Sequence, residues 1–474
     1  MRSIILTLFW ILMLTTPYSI ANAQDTLTIS KCIEIALARN PAIKESQLLL
    51  QSIANTHQQN KRSLLPSVEG MLSPGYSLGR SIDPYTNSVT NSRIGTSSLW
   101  ISADWLVYNG YQRKRASQQA ALNVTASQFD VQTAKNRIVL EVLQACMQVL
   151  MLRELLTLAY NQAESTKRQI DRISKQIKLE VAPESASYSL QAQLASDEVQ
   201  IINTYNDLKL ANLSLDQLLN MPAGQHIEIE QPGYEPSTPV PDTWNDIYKT
   251  ALVARPELKA LETRLLAANK GIDMAKGLRH PVVSLRSTLG TAFSSVAKKA
   301  VASEEYVQTP INAFITVDGK TYQASAINQS MALSNIGYFS QLNLNRAFSI
   351  DLSIRIPILN ATQASYKIQE AKIQKLILSN QQVHAKQELK RQIEQAFITV
   401  KSTAERGQSL ERQVKSLEKV LHVAEVKLSN GIASPVEFLL AKNDLERARI
   451  SFIQTKYEYC LRKQVLDFLR DGSE

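Results

Sequence analysis

Two long stretches of the chain carry apolar or small side chains at alternating steps of four and three. The first runs Ile138, Val142, Ala145, Val149, Leu152, Leu156, Ala159 and Ala163, passes a polar slot at Thr166, and resumes at Ile170, Ile173 and Ile177. The second runs Ile393, Phe397, Val400 and Ala404, then Leu410, Val414, Leu417, Leu421, Ala424 and Leu428. Such steps make a narrow coiled-coil seam, and alanine in so many slots predicts close approach of helices. No proline interrupts residues 111–179 or 361–428, so each stretch predicts one helix roughly 100 Å long. Medium helices are predicted at 28–64 and 186–220, and again at 244–280 and 435–470. Two of these end to end match one long helix, about 70 residues each way, so each half predicts an antiparallel pair of columns.

Between the helices the period changes to two. Leu342, Leu344, Phe348, Ile350, Leu352, Ile354, Ile356 and Ile358 alternate with polar or small residues from Gln341 to Arg355, with Arg346 the exception on the apolar side. A second strand sets Leu99, Ile101, Ala103, Trp105 and Val107 against Ser98, Trp100, Ser102 and Asp104. Weaker strands are predicted around Val68–Leu78 and Val283–Leu289. An aliphatic face opposite a polar one holding Asp104, Asp351, Arg286 and Arg355 fits a lipid-facing, water-filled barrel; a sheet packed on a soluble core gives the same alternation. Four strands cannot enclose water, because so small a ring fills with its own side chains. Three chains would supply twelve strands and twelve helical columns, a closed cylinder without a free edge.

The chain contains itself twice. Ile35-Ala36-Leu37-Ala38-Arg39-Asn40-Pro41 recurs as Thr250-Ala251-Leu252-Val253-Ala254-Arg255-Pro256, Tyr108-Asn109-Gly110 answers to Leu359-Asn360-Ala361, and Leu218-Leu219-Asn220 to Phe468-Leu469-Arg470. The second copy is longer by about 36 residues, all within Thr291–Ile336, a polar segment without a clear period that is predicted to be a long loop. The halves, residues 24–231 and 243–474, meet at a proline-rich linker, 232–242, with prolines at 232, 236, 239 and 241.

Composition narrows the function. The chain has 474 residues, only 15 of them glycine, about half the usual share, which argues against Gly-rich nucleotide folds and turn-dense sandwiches. The net charge is +9, but 52 basic residues are interspersed with 43 acidic ones; this is a solvated surface rather than a nucleic-acid footprint. Residues 1–23 carry Arg2, an apolar core from Ile4 to Leu14 and Ala21-Asn22-Ala23, the marks of a secretory signal peptide. No later stretch is long and apolar enough for a transmembrane helix, so any crossing must be made with strands. Cys32, Cys146 and Cys460 form no CxxC pair and are expected to be packed thiols. His57, His226, His280, His384 and His422 lack zinc spacing, and no catalytic or cofactor motif is present. No enzymatic activity, metal or cofactor is expected.

The sequence resembles the outer membrane efflux protein family, the TolC-like exit ducts, over essentially the whole mature chain. The likeness rests on the repeated Ala-Leu-x-x-Asn/Arg-Pro-x-Ile/Leu-Lys opening, on Leu64-Leu65-Pro66-Ser67, and on the Gly431–Ala441 segment. It implies a mainly α fold with a small β part: a homotrimer with a twelve-stranded barrel in the outer membrane and a helical tunnel in the periplasm. It further implies docking to a periplasmic adaptor and an inner-membrane RND or ABC transporter, as a passive duct for small molecules. A type I protein secretion duct and a periplasmic coiled-coil scaffold are the other readings.

By that resemblance the turn at Ser429–Pro435 lies at the periplasmic tip. Gly431 is the expected helix stop, Glu437 an aperture carboxylate, and Leu440 the place where a second acid is lost. The first-copy turn carries Glu180, Pro183 and Glu184 instead, implying a different adaptor contact. All three glutamates also suit ordinary helix N-terminal charge. Trp100, Trp105 and Tyr108 are expected to form an interfacial aromatic belt.

Overall fold

The computed structural model describes residues 26–83, 85–91, 93–180, 183–222, 228–231, 233–234, 243–359, 362–430, 432 and 434–471. The signal peptide, most of the linker and Gly431 lie outside the described residues. A two-residue strand β1 (Thr26–Leu27) leads into helices α1 (Ile29–Arg39) and α2 (Pro41–Arg62). Strands β2 (Ser67–Ser77), β3 (Arg80–Ile82), β4 (Val89–Asn91) and β5 (Ile94–Asn109) precede the long helix α3 (Gln112–Lys178) and then α4 (Ser185–Leu218). After β6 (Glu228–Ile229) come α5 (Trp244–Ala254), α6 (Pro256–Lys276) and a 3₁₀ turn. Strands β7 (Val282–Ser294), β8 (Lys298–Val317) and β9 (Lys320–Asn335), the short helix α7 (Tyr338–Leu344) and β10 (Ala347–Arg355) follow. The second long helix α8 (Gln363–Ser429) and α9 (Pro435–Asp471) complete the order. Both long helices have 67 residues.

Three expectations need correction. The unbroken helices at 28–64 and 244–280 are each broken in two. Proline removes a donor and forces the preceding residue out of helical conformation; Asn40 and Arg255 have ψ of 127° and 121°, and Pro41 and Pro256 then start the next helix. The segment Thr291–Ile336 is mostly strand rather than loop, because β7 runs on to Ser294 and β8 and β9 form a hairpin. Its turn, Asp318-Gly319, has φ of 51° and 74°, the left-handed pair that two-residue hairpins need and that glycine adopts without strain. Register shifts after Ala302 and Pro310 hide the alternation. Finally, Leu342 and Leu344 belong to α7, and the strand beyond covers only Ala347–Arg355, without Ile356 and Ile358. The Gln341 side chain is the reason: it is buried, accepts from Ser294 N at 2.9 Å and donates to Ser294 O and Ile336 O at 2.9 Å each. That fixes a helical turn where a strand would swing the amide away.

The described chain divides into two packed units. The first comprises residues 1–53, 123–265 and 377–474. Its main core joins Val142, Cys146, Val149 and Leu150 of α3 to Leu215 near the end of α4, Ile247 of α5, Ile393 and Val400 of α8, and Leu466 of α9. The predicted seam is the buried stripe: Val142, Val149, Ile393 and Val400 are fully enclosed. Cys32, Cys146 and Cys460 are free and buried in this core.

The second unit comprises residues 54–122 and 266–376. Its antiparallel sheet has the order β10-β7-β5-β2. All four strands meet helical segments at one end of the sheet. At the other end Asp83, fully buried, accepts from Ser294 Oγ at 2.6 Å, Thr86 Oγ1 at 2.7 Å and Tyr85 N at 3.1 Å. Burial alone would raise the Asp83 pKa, but the hydrogen bonds from Ser294, Thr86 and the turn backbone outweigh it and hold it below the ordinary value. A depressed carboxylate stabilises the fold above its unfolded pKa and loses that contribution as pH falls through the folded value. Proteolytic nicking of the 78–93 turn should therefore rise only in strong acid. Asp83→Asn should raise nicking at neutral pH and remove most of that acid dependence, measured by timed protease digestion across pH.

Candidate functional site

The sheet carries two faces of opposite chemistry. Register places Phe348, Ile350, Leu352 and Ile354 of β10 beside Val283, Leu285 and Leu289 of β7, then Leu99, Ile101 and Trp105 of β5, then Val68 and Leu72 of β2. Among the described residues this face is largely open: Ile350 is 61% exposed and Leu352 63%. A sheet packed on a core of its own subunit would bury these positions. The other face crosses three strands at one level with Asp104, Arg286 and Asp351, and Arg286 Nε donates to Asp104 Oδ1 at 2.6 Å.

The three aromatic residues do not share a face. Trp105 lies on the apolar side and donates from Nε1 to Leu64 O at 3.0 Å. A register shift after Leu106 brings Tyr108 opposite Val283, on that same side, where its ring meets Tyr111 edge-on at 5.3 Å. Trp100 lies on the polar side over Gly290; a Cβ there would fall 1.9 Å from the indole.

The turns after α3 and after α8 lie in the helical unit. Ser434 caps α9 through Glu437 N, with Pro435 in its first turn. Glu437 is half exposed and accepts from Lys427 Nζ at 3.4 Å, an ion pair from the last turn of α8 to the first of α9. Leu440, one turn on, is exposed, whereas Phe438 between them is fully buried with Ile173, Leu190 and Leu428. Thus α9 turns Glu437 and Leu440 outward while Phe438 locks it onto α3, α4 and α8. At the other turn Glu180 adopts a left-handed φ of 60°, and Glu180, Pro183 and Glu184 are all exposed; Glu184 makes no side-chain cap.

Beside this small core sits a cluster that the sequence pointed to only through Thr166. Lys442 and Asp197 are paired at 2.7 Å with side chains 4% and 2% exposed. Thr166 Oγ1 accepts from Lys442 Nζ at 2.6 Å and lies 2.5 Å from Asp197 Oδ2, to which it donates; Gln193 Nε2 supplies Asp197 Oδ1 at 2.8 Å. Three helices, α3, α4 and α9, thereby share one buried ion pair. A polar break in a seam signals that partners exist, but Asp197 and Lys442 sit among many other helical charges and nothing local marks them. Among the described residues no group of three or more His, Cys, Asp or Glu could hold a metal ion, and no helix is long and apolar enough to cross a membrane.

The sequence model of the outer membrane efflux protein family matches residues 32–221 and 247–469. The chain belongs to this family. It is an outer-membrane exit duct, and its helical fold with a minor strand part matches solved channels. CusC superposes with a TM-score of 0.73 at 18% identity, covering 94% of this chain and 92% of that one. VceC from Vibrio cholerae gives 0.73 at 14% identity, covering 94% and 96%, and the OprN outer-membrane channel 0.74 at 16%, covering 94% and 90%. At these identities the superpositions establish the fold. No curated protein matches the chain in sequence.

The Lys442–Asp197 pair makes a quantitative prediction. Asp197→Ala strands a buried ammonium, which costs about 3–5 kcal/mol, whereas removing both charges costs far less. In detergent-solubilised efflux protein Asp197→Ala should lower the melting temperature markedly. The double change Asp197→Leu with Lys442→Met should recover most of the loss; equal losses in both would remove the pair's assigned role.

Proposed function

We propose that three copies of this chain form a passive efflux duct, with the β10 edge of each subunit paired to the β2 edge of the next. Strand direction supports this reading. Within the sheet β2, β5, β7 and β10 alternate in direction, so β10 of one copy meets β2 of the next antiparallel and a twelve-stranded ring closes without a parallel seam. The apolar face would then meet lipid and the Asp104–Arg286–Asp351 ladder would face a water-filled lumen. Trp105 and Tyr108, near the helix-joined end of the apolar face, suit the periplasmic lipid boundary; Trp100 fills the lumen side over Gly290. The two halves of the chain, 24–231 and 243–474, act as structural repeats, each supplying two strands and one pair of columns.

The observation that carries this reading is the uncovered aliphatic face on a sheet with two unpaired edges. In lipid such edges have no water to bond and must pair. The helical unit would hold the periplasmic end, where the Leu179–Ser185 and Ser429–Pro435 turns meet an adaptor and, through it, an inner-membrane RND or ABC transporter that supplies the energy. Glu437 and Leu440 would line the aperture, with Gly431 at the turn. The different chemistry of Glu180, Pro183 and Glu184 would give the adaptor two unlike docking loops. A coiled-coil scaffold would wash from membranes with salt; a barrel requires detergent and gives a heat-modifiable trimer band.

The Lys427–Glu437 pair sharpens the aperture test. Each Glu437 carries a lysine neighbour, so its field at the opening is partly cancelled. In planar bilayers Glu437→Gln should lower cation selectivity and Lys427→Ala should raise it. Reversal potentials unchanged by both substitutions would remove Glu437 from the aperture.

A further inference from the structure

The β8–β9 ribbon has no place in the four-stranded sheet. It forms a separate two-stranded sheet in which each strand bonds only to the other, and an isolated pair of strands is marginal in water. Its base is tied to the sheet end remote from the helices: β8 starts shortly after Ser294, Ala297 N donates to Ser294 O at 3.2 Å and Ile336 N to Ala297 O at 3.3 Å. The register puts Tyr306, Phe314, Ile327, Met331 and Leu333 on one face, all 64–69% exposed. The opposite face carries Val301, Val307, Ile315 and Tyr322, also exposed. Glutamines and asparagines are interspersed on both faces: Gln308 and Gln329 beside Tyr306, Asn328 beside Val307.

We propose that this ribbon is an inter-subunit clasp, in which one face packs against the opposite face of the ribbon of the next copy, building a collar on the outer mouth of the duct. The proposal rests on the trimeric ring described above. Three observations select a second copy of this chain as the occupant. The ribbon continues from β7, which lies beside the edge strand β10, so it rises next to the boundary between subunits. Its charges balance, Lys298, Lys299 and Lys320 against Glu304, Glu305 and Asp318, so copies do not repel one another and the ribbon offers no excess positive charge to phosphate-bearing lipid. Its mixed apolar and amide faces suit a protein interface and would be costly in hydrocarbon. In three-fold symmetry the contact is head-to-tail, with unlike faces meeting in a closed ring. The register shifts after Ala302 and Pro310 interrupt the ladder as bulges do, and such interruptions bend and twist a ribbon and would let it wrap around its neighbour.

Met331 and Val301 lie at neighbouring rungs on opposite faces, so a link within one subunit leaves a monomer and only a link between copies gives larger species. The double substitution Met331→Cys with Val301→Cys in the full chain, treated with a short bis-maleimide in detergent, should give covalent dimers and trimers that neither single substitution gives. Monomers only, with both cysteines fully labelled by a bulky polar maleimide in the intact trimer, would overturn the clasp. So would protection that appears only in vesicles containing lipopolysaccharide, which would assign the ribbon to lipid. As a second measurement, Met331→Glu with Val301→Glu should lower the temperature of trimer dissociation by several degrees; an unchanged temperature counts against the clasp. The trimer band itself is read separately on the unsubstituted protein, so loss of the ring and loss of the clasp are distinguishable.

Discussion

One constraint bears on the four-stranded sheet of an outer-membrane protein: a backbone hydrogen-bonding group in hydrocarbon has no water to turn to. A sheet of four strands satisfies its interior ladders and leaves the outer sides of β2 and β10 open. Charges, bulges or covering loops blunt such edges in soluble proteins, and here the adjoining face is aliphatic from Phe348 to Ile354. The edges are therefore neither tolerable in lipid nor protected in water. In the proposed ring, self-association around an axis would remove them, and the even strand count would let it do so without changing strand direction. The charged ladder on the other face would complement that arrangement, since Arg286 between Asp104 and Asp351 needs water or partners.

Positions that the sequence pairs between the two halves agree in backbone more than in side chains. Tyr111 and Thr362 hold corresponding places before the long helices, and both adopt left-handed φ, 61° and 64°. The proline-led breaks at Asn40 and Arg255 also correspond, but their chemistry has diverged. Asn40 donates to Leu218 O at 3.0 Å while Asn220 returns a bond to Arg39 O at 3.3 Å, so the helix junction and the α4 terminus cap one another. In the second copy Arg255 is buried with its guanidinium 5.2 Å from the Phe468 ring, and Glu257 lies 3.9 Å away. One solution uses amide complementarity and the other a cation against an aromatic face; both hold the same crossing of chain.

The long helices were legible because a seam of about seventy residues averages over local accidents, and Thr166 stood out as its one polar slot. The strand faces were legible for the same reason, since period two persists through β5 and β10. What escaped was decided by single residues acting at a distance. Gln341 converts the start of a long alternating run into α7 by bonding across to Ser294, and no local pattern announces that contact. The β8–β9 hairpin did leave a sign, Asp318-Gly319, but two register shifts scrambled the alternation on either side. Glu437 was singled out through the family resemblance, whereas its ion-pair partner Lys427 lies ten residues earlier on another helix. Pairing across a turn is geometry, and sequence order conceals it.

A seam specifies that helices pack, yet it specifies register weakly, because a shift of one heptad puts apolar residues opposite apolar residues again. The Thr166–Asp197–Lys442 cluster breaks that degeneracy. Sliding α3 by one heptad would bring Ala159 or Ile173 to the place of Thr166, leaving the enclosed Asp197 carboxylate without the hydroxyl that now supplies its second bond to Oδ2. Sliding α9 would withdraw the ammonium altogether and leave a buried carboxylate without a counter-ion, which costs several kcal/mol. The pair need not add to stability over an apolar replacement to be useful. It fixes the register of three helices beside Phe438, close to the α8–α9 turn that the proposed function places at the docking end.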